Sequence, residues 1–177
     1  MKTNDILIAG IGGQGTVLAS RLIAAAAMEM GLFVRTSETI GMAQRGGSVV
    51  SHVRINSEEK SSIIPFYTAD LIIAFDETEA LRQIKRLKPG GKMLVNINHM
   101  AAPPEGLNKF NPIMVDGYVI AENSGSYKTV NTVLIGAAIK HNLLEFEPDL
   151  MKEVLRKSVP SRYIDLNITA FENSLQM

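Results

Sequence analysis

The feature that most constrains the fold is a glycine-rich turn set between an apolar run and an alanine-rich segment. Residues 6–9 (Ile-Leu-Ile-Ala) are wholly apolar, which is typical of a strand covered on both faces. Gly10-Ile-Gly-Gly-Gln-Gly15 follows, and residues 16–30 then have the composition of a helix, with Gly31 placed to end it. Strand character resumes at residues 32–37. This order predicts a right-handed βαβ unit with parallel strands.

The same alternation continues along the chain. Further strands are predicted at residues 48–55, 69–75, 92–97 and 112–115, and further helices at residues 77–87, 118–123, 129–142, from 148 onward and at 167–176. Residues 38–47 are polar and glycine-bearing and are expected to form a loop. Because no helix precedes the strand at 48–55, we expect that strand to be antiparallel to its neighbours. The sequence therefore predicts an α/β fold: one Rossmann-like domain over residues 1–177, with a mostly parallel sheet and helices on both faces.

Composition excludes several classes of function. The chain has 18 basic and 18 acidic residues and a net charge of zero, so a broad surface for nucleic acid or acidic lipid is not expected. It has no cysteine, which removes disulfides, thiolate metal sites and cysteine-ligated clusters and fits a reducing compartment. No secretory signal or membrane-spanning run is recognisable, and we expect a cytoplasmic protein.

The glycine turn predicts a site for an anion. Gly10, Gly12 and Gly15 match the pattern G-x-G-x-x-G, in which the glycines permit a tight turn, close approach of a phosphate, and close helix packing. The following helix presents unpaired N–H groups and a partial positive charge. Gly13 adds backbone freedom and Gln14 adds a neutral donor at the rim. The alternative is that the glycines only form the turn.

A dinucleotide would need an acidic residue for its ribose, about 20 residues beyond the motif. Glu38 is the candidate, 23 residues after Gly15. An ion pair between Glu38 and Arg35 or Arg45 is an equally good interpretation.

A second polar segment follows the second predicted strand. Gln44, Arg45 and Ser48 can hold a phosphate or carboxylate there, and Gly46 and Gly47 let backbone come close. The alternative is a glycine-rich corner leading into the next strand. The candidate binding residues of the whole chain are therefore Gly10, Gly12, Gly13, Gln14, Gly15, Glu38, Gln44, Arg45, Gly46, Gly47 and Ser48.

The remaining polar residues indicate no catalytic group and no metal site. His52, His99 and His141 are far apart in the sequence and share no metal-ligand spacing, so structural or interface roles are expected. Asp76 is placed to cap a helix. Asn131, at the start of an apolar helix, is expected to bond backbone.

The two glycine segments together resemble a known family. Gly10-Ile-Gly-Gly-Gln-Gly15, followed by Gly41-Met-Ala-Gln-Arg-Gly-Gly-Ser-Val-Val-Ser-His-Val-Arg54, is similar to the gamma subunits of 2-oxoacid:ferredoxin oxidoreductases, and most to the small (beta) subunits of the indolepyruvate type. The likeness continues through Pro65, Ala69-Asp70, residues 131–136 (Asn-Thr-Val-Leu-Ile-Gly), Asn167 and Ala170-Phe171.

The resemblance implies a chemistry divided between chains. In this family a 2-oxo acid is oxidatively decarboxylated with thiamine diphosphate, electrons pass through iron–sulfur clusters to ferredoxin, and the acyl group goes to coenzyme A. The chain has no cysteine and no recognisable thiamine diphosphate–magnesium motif, so those cofactors are expected on a larger partner subunit. Coenzyme A is a possible ligand of residues 12–15 or of Arg45. The chain alone is expected to be inactive.

Two other functions stay open at this point. The glycine turn with Glu38 is also compatible with an independent nucleotide-binding oxidoreductase or redox sensor. Alternatively the turn holds no ligand and the chain is a scaffold subunit or a homodimer, with Val50 and His52 at the contact.

Overall fold

The computed structural model describes residues 5–41, 46–56, 61–97, 99 and 104–177. They form one six-stranded sheet in the order β2-β3-β1-β4-β5-β6. The strands are β1 (Asp5–Ile11), β2 (Val34–Ile40), β3 (Ser48–Ile55), β4 (Ala69–Ala74), β5 (Leu87–Asn96) and β6 (Ile113–Val115).

The sheet is mixed, with an antiparallel side and a parallel side. β1, β4, β5 and β6 pair in parallel, whereas β3 is antiparallel to both β1 and β2. The predicted antiparallel orientation of residues 48–55 is thus confirmed. β1 and β2 run in the same direction, as the βαβ prediction requires, but β3 lies between them. The two strands therefore share no hydrogen bonds, because the hairpin from β2 returns into the space beside β1.

In the described part of the chain, six α-helices cover the sheet: α1 (Thr16–Glu29), α2 (Glu77–Gln83), α3 (Gly117–Asn123), α4 (Val130–Lys140), α5 (Pro148–Ser158) and α6 (Ile164–Leu175). Short 3₁₀ turns occupy residues 84–86, 107–110, 127–129 and 161–163. None of the helices in the described part of the chain has the length and apolarity needed to cross a membrane.

Several predicted boundaries are wrong: β5 begins at Leu87 and not at residue 92, and α6 begins at Ile164 and not at residue 167. Strand pairing explains two others. Residues 38–40 were expected in a loop but continue β2, because their backbone pairs with residues 49–51 of β3. The helix predicted to end at residue 87 ends at Gln83, because Leu87 already pairs with Ala69 in the sheet. In both places a ladder of non-local hydrogen bonds outweighs local composition.

Helices lie on both faces, but unequally. The larger core packs α1, α4, α5 and α6 against Ile6, Ile8 and Ile73 on one face. On the other face, Leu7 and Ile72 pack against Ala80 of α2 and Ile64 of the loop before β4. Ten of the eleven residues of α4 are buried, so this helix forms the centre of the thicker layer.

Candidate functional site

The candidate site lies at the carboxyl ends of β1 and β4. From β1 the chain passes through α1 to β2 on one side of the sheet, and from β4 it passes through α2 to β5 on the other side. These carboxyl ends are a switch point in strand order, where α/β sheets leave a crevice for ligands. The glycine turn follows β1 directly, so the structure places it at this crevice.

The turn itself needs its glycines. Gly13 and Gly15 have φ angles of 101° and 90°, in the left-handed region that side chains disfavour. A Cβ atom on Gly10 would lie 2.7 Å from both Gln14 Oε1 and Thr16 Cγ2. Helix α1 then begins without a capping side chain and without an acidic residue in its first turn. Its first N–H groups and its partial positive charge are therefore left for an anion.

Gln14 is not a free donor at the rim. Its Oε1 accepts a hydrogen bond from the Ile11 N–H at 2.7 Å, and its Nε2 donates to the Tyr118 hydroxyl at 3.0 Å. Burial raises the pKa of the Tyr118 phenol, and the nearby charge of Asp76 raises it further. The phenol therefore stays neutral at physiological pH, and Gln14 serves to connect the glycine turn to α3.

The second glycine segment lies against the first. The Gly12 N–H donates to the Gly47 carbonyl oxygen at 2.9 Å, which brings Gly46, Gly47 and Ser48 beside the turn. Ser48 Oγ donates to Glu79 of α2 at 2.6 Å, so its hydroxyl proton already has an acceptor. Gln44 and Arg45, also predicted to bind, lie outside the described residues.

Glu38 is not brought to the turn. It lies on the edge strand β2, level with Ser51 of β3 and, through it, with Ile8 of β1. Two strand spacings separate it from β1, roughly 10 Å. The inserted β3 occupies the place where the second strand of a dinucleotide-binding unit would present its acid. Glu38 forms no ion pair with the described residues either, and the Arg35 guanidinium lies over the Phe33 ring.

Asn131 lies beside the glycine turn, and its side-chain oxygen does not make the bond to backbone that was expected. It was expected to bond backbone, but its buried Oδ1 has no hydrogen-bond partner in the described part of the chain. A Cβ atom on Gly15 would lie 3.4 Å from the Asn131 side chain. The residue is only 2% exposed and lies in the first turn of α4, which continues directly from the 3₁₀ turn at residues 127–129. A polar residue in the first turn of an apolar helix was the available signal.

A cavity of about 210 Å³ adjoins Asn131. Its walls include Leu18 of α1, Lys128 and Tyr163. Lys128 is exposed and contributes a positive charge at the cavity rim. The uncapped N-terminus of α1, a lysine and the Asn131 Oδ1 thus lie together beside the glycine turn, an arrangement suited to an anionic ligand that also offers a hydrogen-bond donor.

The predicted structural roles of Asp76 and His52 are confirmed. Asp76 Oδ1 accepts from the N–H groups of Thr78 and Glu79 at 2.8 and 3.2 Å and caps α2. His52 Nδ1 accepts from the Ile64 N–H at 3.1 Å, and burial, aided by Arg86 and Arg54, lowers its pKa to about 4.

The other two histidines, His99 and His141, lie apart from each other. His99 pairs with Asp116 before α3, and His141 is exposed after α4.

Val50 and His52 are 7% and 1% exposed, so the subunit contact expected for them is wrong. The loop that carries Ile64 covers that face of β3.

The donor groups of the chain bear on the metal centres of the chemistry suggested by the sequence. The chain has no cysteine, and no group of three His, Asp or Glu residues in the described ranges is placed to hold a metal ion. Without cysteine, the chain offers no thiolate ligand for an iron–sulfur cluster. The glycine turn, by contrast, fits an anion held by backbone amides.

The fold and the site define an α/β protein of the type that receives ligands beyond the carboxyl ends of its strands. Residues 5–177 match the family described as pyruvate ferredoxin/flavodoxin oxidoreductase, and the chain belongs to that family. It is 36% identical to the indolepyruvate oxidoreductase subunit IorB of Thermococcus kodakarensis, over 97% of this chain and 94% of that protein.

Solved structures share the fold. A keto/oxoacid ferredoxin oxidoreductase gamma subunit from Geobacter sulfurreducens superposes with a TM-score of 0.79 at 24% identity, covering 98% of this chain and 96% of that chain. A 2-oxoglutarate:ferredoxin oxidoreductase from Magnetococcus marinus, solved with 2-oxoglutarate, coenzyme A and succinyl-CoA, also gives a TM-score of 0.79 at 25% identity. The superposition covers 98% of this chain but only 31% of the Magnetococcus marinus chain, so the fold there is one part of a larger polypeptide.

Proposed function

We propose that this chain is the non-thiamine subunit of a 2-oxoacid:ferredoxin oxidoreductase of the indolepyruvate (arylpyruvate) type. The complex would oxidatively decarboxylate a 2-oxo acid to an acyl-CoA and pass the electrons to ferredoxin. The observation that carries this proposal is the likeness to an IorB subunit over nearly the full length of both chains. Residues 1–177 would act as one domain of that assembly in the cytoplasm, a reducing compartment in which proteins rarely form disulfides.

The redox cofactors belong, in this proposal, to a larger partner subunit. The clusters need cysteine ligands, and cysteine is absent from the whole sequence; among the described residues, no group of three His, Asp or Glu is placed to hold a metal ion. The Magnetococcus marinus enzyme, in which this fold is one part of a longer chain, supports a role for the fold beside other catalytic parts. Ferredoxin would then meet the complex at the partner subunit.

The role of this chain's own residues is to hold coenzyme A by its phosphates. The N–H groups of the first turn of α1, directly after Gly15, would donate to a phosphate there, where the helix dipole favours negative charge. Lys128 would add a point charge, and Asn131 would direct its unpartnered amide toward a polar group of the ligand. When bound, coenzyme A supplies the thiol that receives the acyl group.

The test uses the assembled complex and two substitutions at Gly12. A Cβ atom there would lie 3.7 Å from the Gly47 carbonyl oxygen, an ordinary contact, so Gly12→Ala should leave the apparent KM for coenzyme A near the wild-type value. Gly12→Leu fills the space between the two glycine segments and should raise that KM about tenfold or more, equivalent to about 1.4 kcal/mol of binding. The KM for the 2-oxo acid serves as the internal control. An unchanged KM for coenzyme A in Gly12→Leu would contradict the assignment of the ligand.

Calorimetric titration separates this function from the remaining alternatives. Micromolar binding of NADH or NADPH to the isolated chain would favour an independent nucleotide-binding protein, although the position of Glu38 argues against it. A complete lack of binding or thermal shift with coenzyme A, nucleotides and phosphate would favour a scaffold with an empty turn. Purification from the native cell without any larger, cysteine-rich chain would contradict the proposed assembly.

A further inference from the structure

A second cavity lies far from the glycine turn, at the amino ends of β5 and β6. Its volume is about 740 Å³. We call it the basic pocket, because its lining includes Lys85, Lys88, Lys92, Lys109 and His141. The glycine turn follows the carboxyl end of β1, and β1 runs parallel to β4, β5 and β6. The two sites therefore lie at opposite ends of the parallel strands.

The charges of the basic pocket are largely uncompensated. Lys88 pairs with Asp70, but Lys85, Lys92 and Lys109 are exposed and have no ion pair with any described residue. None of the described residues that line the cavity is acidic. In a chain with 18 basic and 18 acidic residues, such a local excess of cations raises the local potential and favours a negatively charged ligand or surface.

The basic pocket also has an apolar base and an apolar margin. Leu87, Met93 and Leu143 are buried beneath it, whereas Tyr67 and Phe110 are 61% and 44% exposed at its edge. The apolar surface continues outside the cavity onto Phe66, which is 59% exposed, and Ile63 is 50% exposed in the same loop. Large apolar side chains that protrude together beyond a cavity are typical of a surface that another protein covers.

The loop that carries these side chains is held in place by hydrogen bonds. The N–H groups of Tyr67 and Thr68 donate to the carbonyl oxygens of Lys85 and Arg86 at 2.9 and 3.0 Å. The Arg86 guanidinium lies over the Phe66 ring, 4.7 Å from its centroid. A surface fixed in this way loses little conformational entropy when a partner binds.

We infer that the basic pocket and the adjoining Phe66 and Tyr67 form the docking surface for an acidic segment of the larger subunit, with a large apolar side chain of that segment inserted over Leu87 and Met93. This inference rests on the proposed function for the existence of the larger subunit. Charge complementarity selects the acidic segment. The apolar surface beyond the cavity favours a polypeptide over a small anion, because a small anion would fill the cavity and leave Phe66 in water.

The first experiment measures lysine reactivity in the assembled complex. The chain alone and the complex are acetylated with an amine-reactive ester, and each lysine is quantified by mass spectrometry. Lys85, Lys92 and Lys109 should lose at least about tenfold in reactivity on assembly, while Lys157, on α5, should change little. A carbodiimide, which joins an amine to a carboxylate in direct contact, should link these lysines to Asp or Glu of the larger chain. A complex in which the three lysines keep their reactivity and form no links would overturn the docking surface but leave the proposed function intact.

The second experiment uses charge reversal with a matched control. Lys85→Glu with Lys109→Glu should weaken association with the larger subunit at least about tenfold at low salt, whereas the control pair Arg21→Glu and Arg156→Glu, also at exposed positions, should not. Equal weakening by both pairs would overturn the inference, since net charge alone would explain it. Protection of the three lysines by coenzyme A in the isolated chain would identify a small-anion site instead. Absence of a larger subunit would overturn both this inference and the proposed function.

Discussion

The side chain of Gln14 connects the glycine turn to α3 by donating from Nε2 to the Tyr118 hydroxyl oxygen, 3.0 Å away. Its Oε1 at the same time accepts the Ile11 N–H. The position of Gln14 is therefore fixed from both ends of its amide, and the shape of the turn depends on a residue more than one hundred positions later in the chain.

Tyr118→Phe should remove the acceptor for Gln14 and little else. The loss of one partly buried hydrogen bond is expected to cost about 1 kcal/mol of unfolding free energy, measured by urea denaturation at pH 7. Gln14→Ala, which also frees the Ile11 N–H, should cost more. Equal stability of wild type and Tyr118→Phe would show that the contact contributes nothing.

Tyr118 also predicts a pH dependence. Because burial raises the pKa of its phenol above the ordinary 10.0, the folded chain keeps the proton longer than the unfolded chain does. The resulting stabilisation is complete below the unfolded pKa and is lost as the pH rises through the folded pKa. Absorbance titration at alkaline pH should show one tyrosine that ionises late, and Tyr118→Phe should lack that step.

Asn131→Leu should separate stability from ligand binding. Replacing an unpartnered buried amide with an apolar group of similar size is expected to leave the unfolding free energy unchanged or to raise it by up to about 1 kcal/mol. If Asn131 contacts coenzyme A, the same variant should raise the KM for coenzyme A in the complex. Destabilisation together with an unchanged KM would identify Asn131 as a structural residue.

His52 should make the fold sensitive to mild acid. Its pKa is about 4 in the folded chain and 6.5 in its ordinary state, so the unfolded chain binds more protons between these values. Stability is then present above the unfolded pKa and falls as the pH drops toward 4, by roughly 3 kcal/mol in total at about 1.4 kcal/mol per pH unit.

The control for this acid sensitivity is His52→Asn, whose side-chain oxygen can still accept the Ile64 N–H. Urea denaturation at pH 7 and pH 5 should show a smaller loss of stability in this variant than in the wild type. Equal losses would assign the acid sensitivity to other groups.

Replacing only one partner of the buried Arg54–Asp5 ion pair should lower the unfolding free energy substantially. Arg54 donates from Nε and Nη2 to the two carboxylate oxygens at 2.8 and 2.9 Å, across the β1–β3 pair, and is 4% exposed. Arg54→Leu should destabilise the fold by about 3–5 kcal/mol, because Asp5 is left charged and unpaired. Adding Asp5→Leu should recover part of that loss. A double variant less stable than Arg54→Leu would contradict this account.

Any side chain at Gly136, where α4 packs against α6, should destabilise the fold. A Cβ atom there would lie 1.8 Å from Ser174 Oγ and 3.1 Å from the Phe171 ring. Gly136→Ala is expected to destabilise the fold by about 1–3 kcal/mol through overpacking. Ser174→Ala in the same chain removes the closest atom and should restore part of the stability, as thermal denaturation can show.

Much of the fold was predictable because local patterns coincide with tertiary contacts. The strand at residues 48–55 was predicted with its observed bounds, since its alternating faces pack against different layers. The Asp76 cap was predictable because the cap and the amides it serves are neighbours in sequence. The ends of β2 and α2 were not, because they depend on pairing with strands elsewhere in the chain.

The sequence by itself determined the α/β class, the glycine turn before α1, and the absence of cysteine ligands, since each follows from residue types at fixed local spacing. Only the tertiary structure decided which polar groups remain free at the turn. In the fold, Gln14 bonds to Tyr118, Ser48 bonds to Glu79, and Glu38 lies beyond β3. The Asn131 Oδ1, beside Gly15, has no hydrogen-bond partner among the described residues. The physical reason is that a hydrogen-bonding group is satisfied by whatever the fold brings within about 3 Å of it, and those neighbours come from distant parts of the chain.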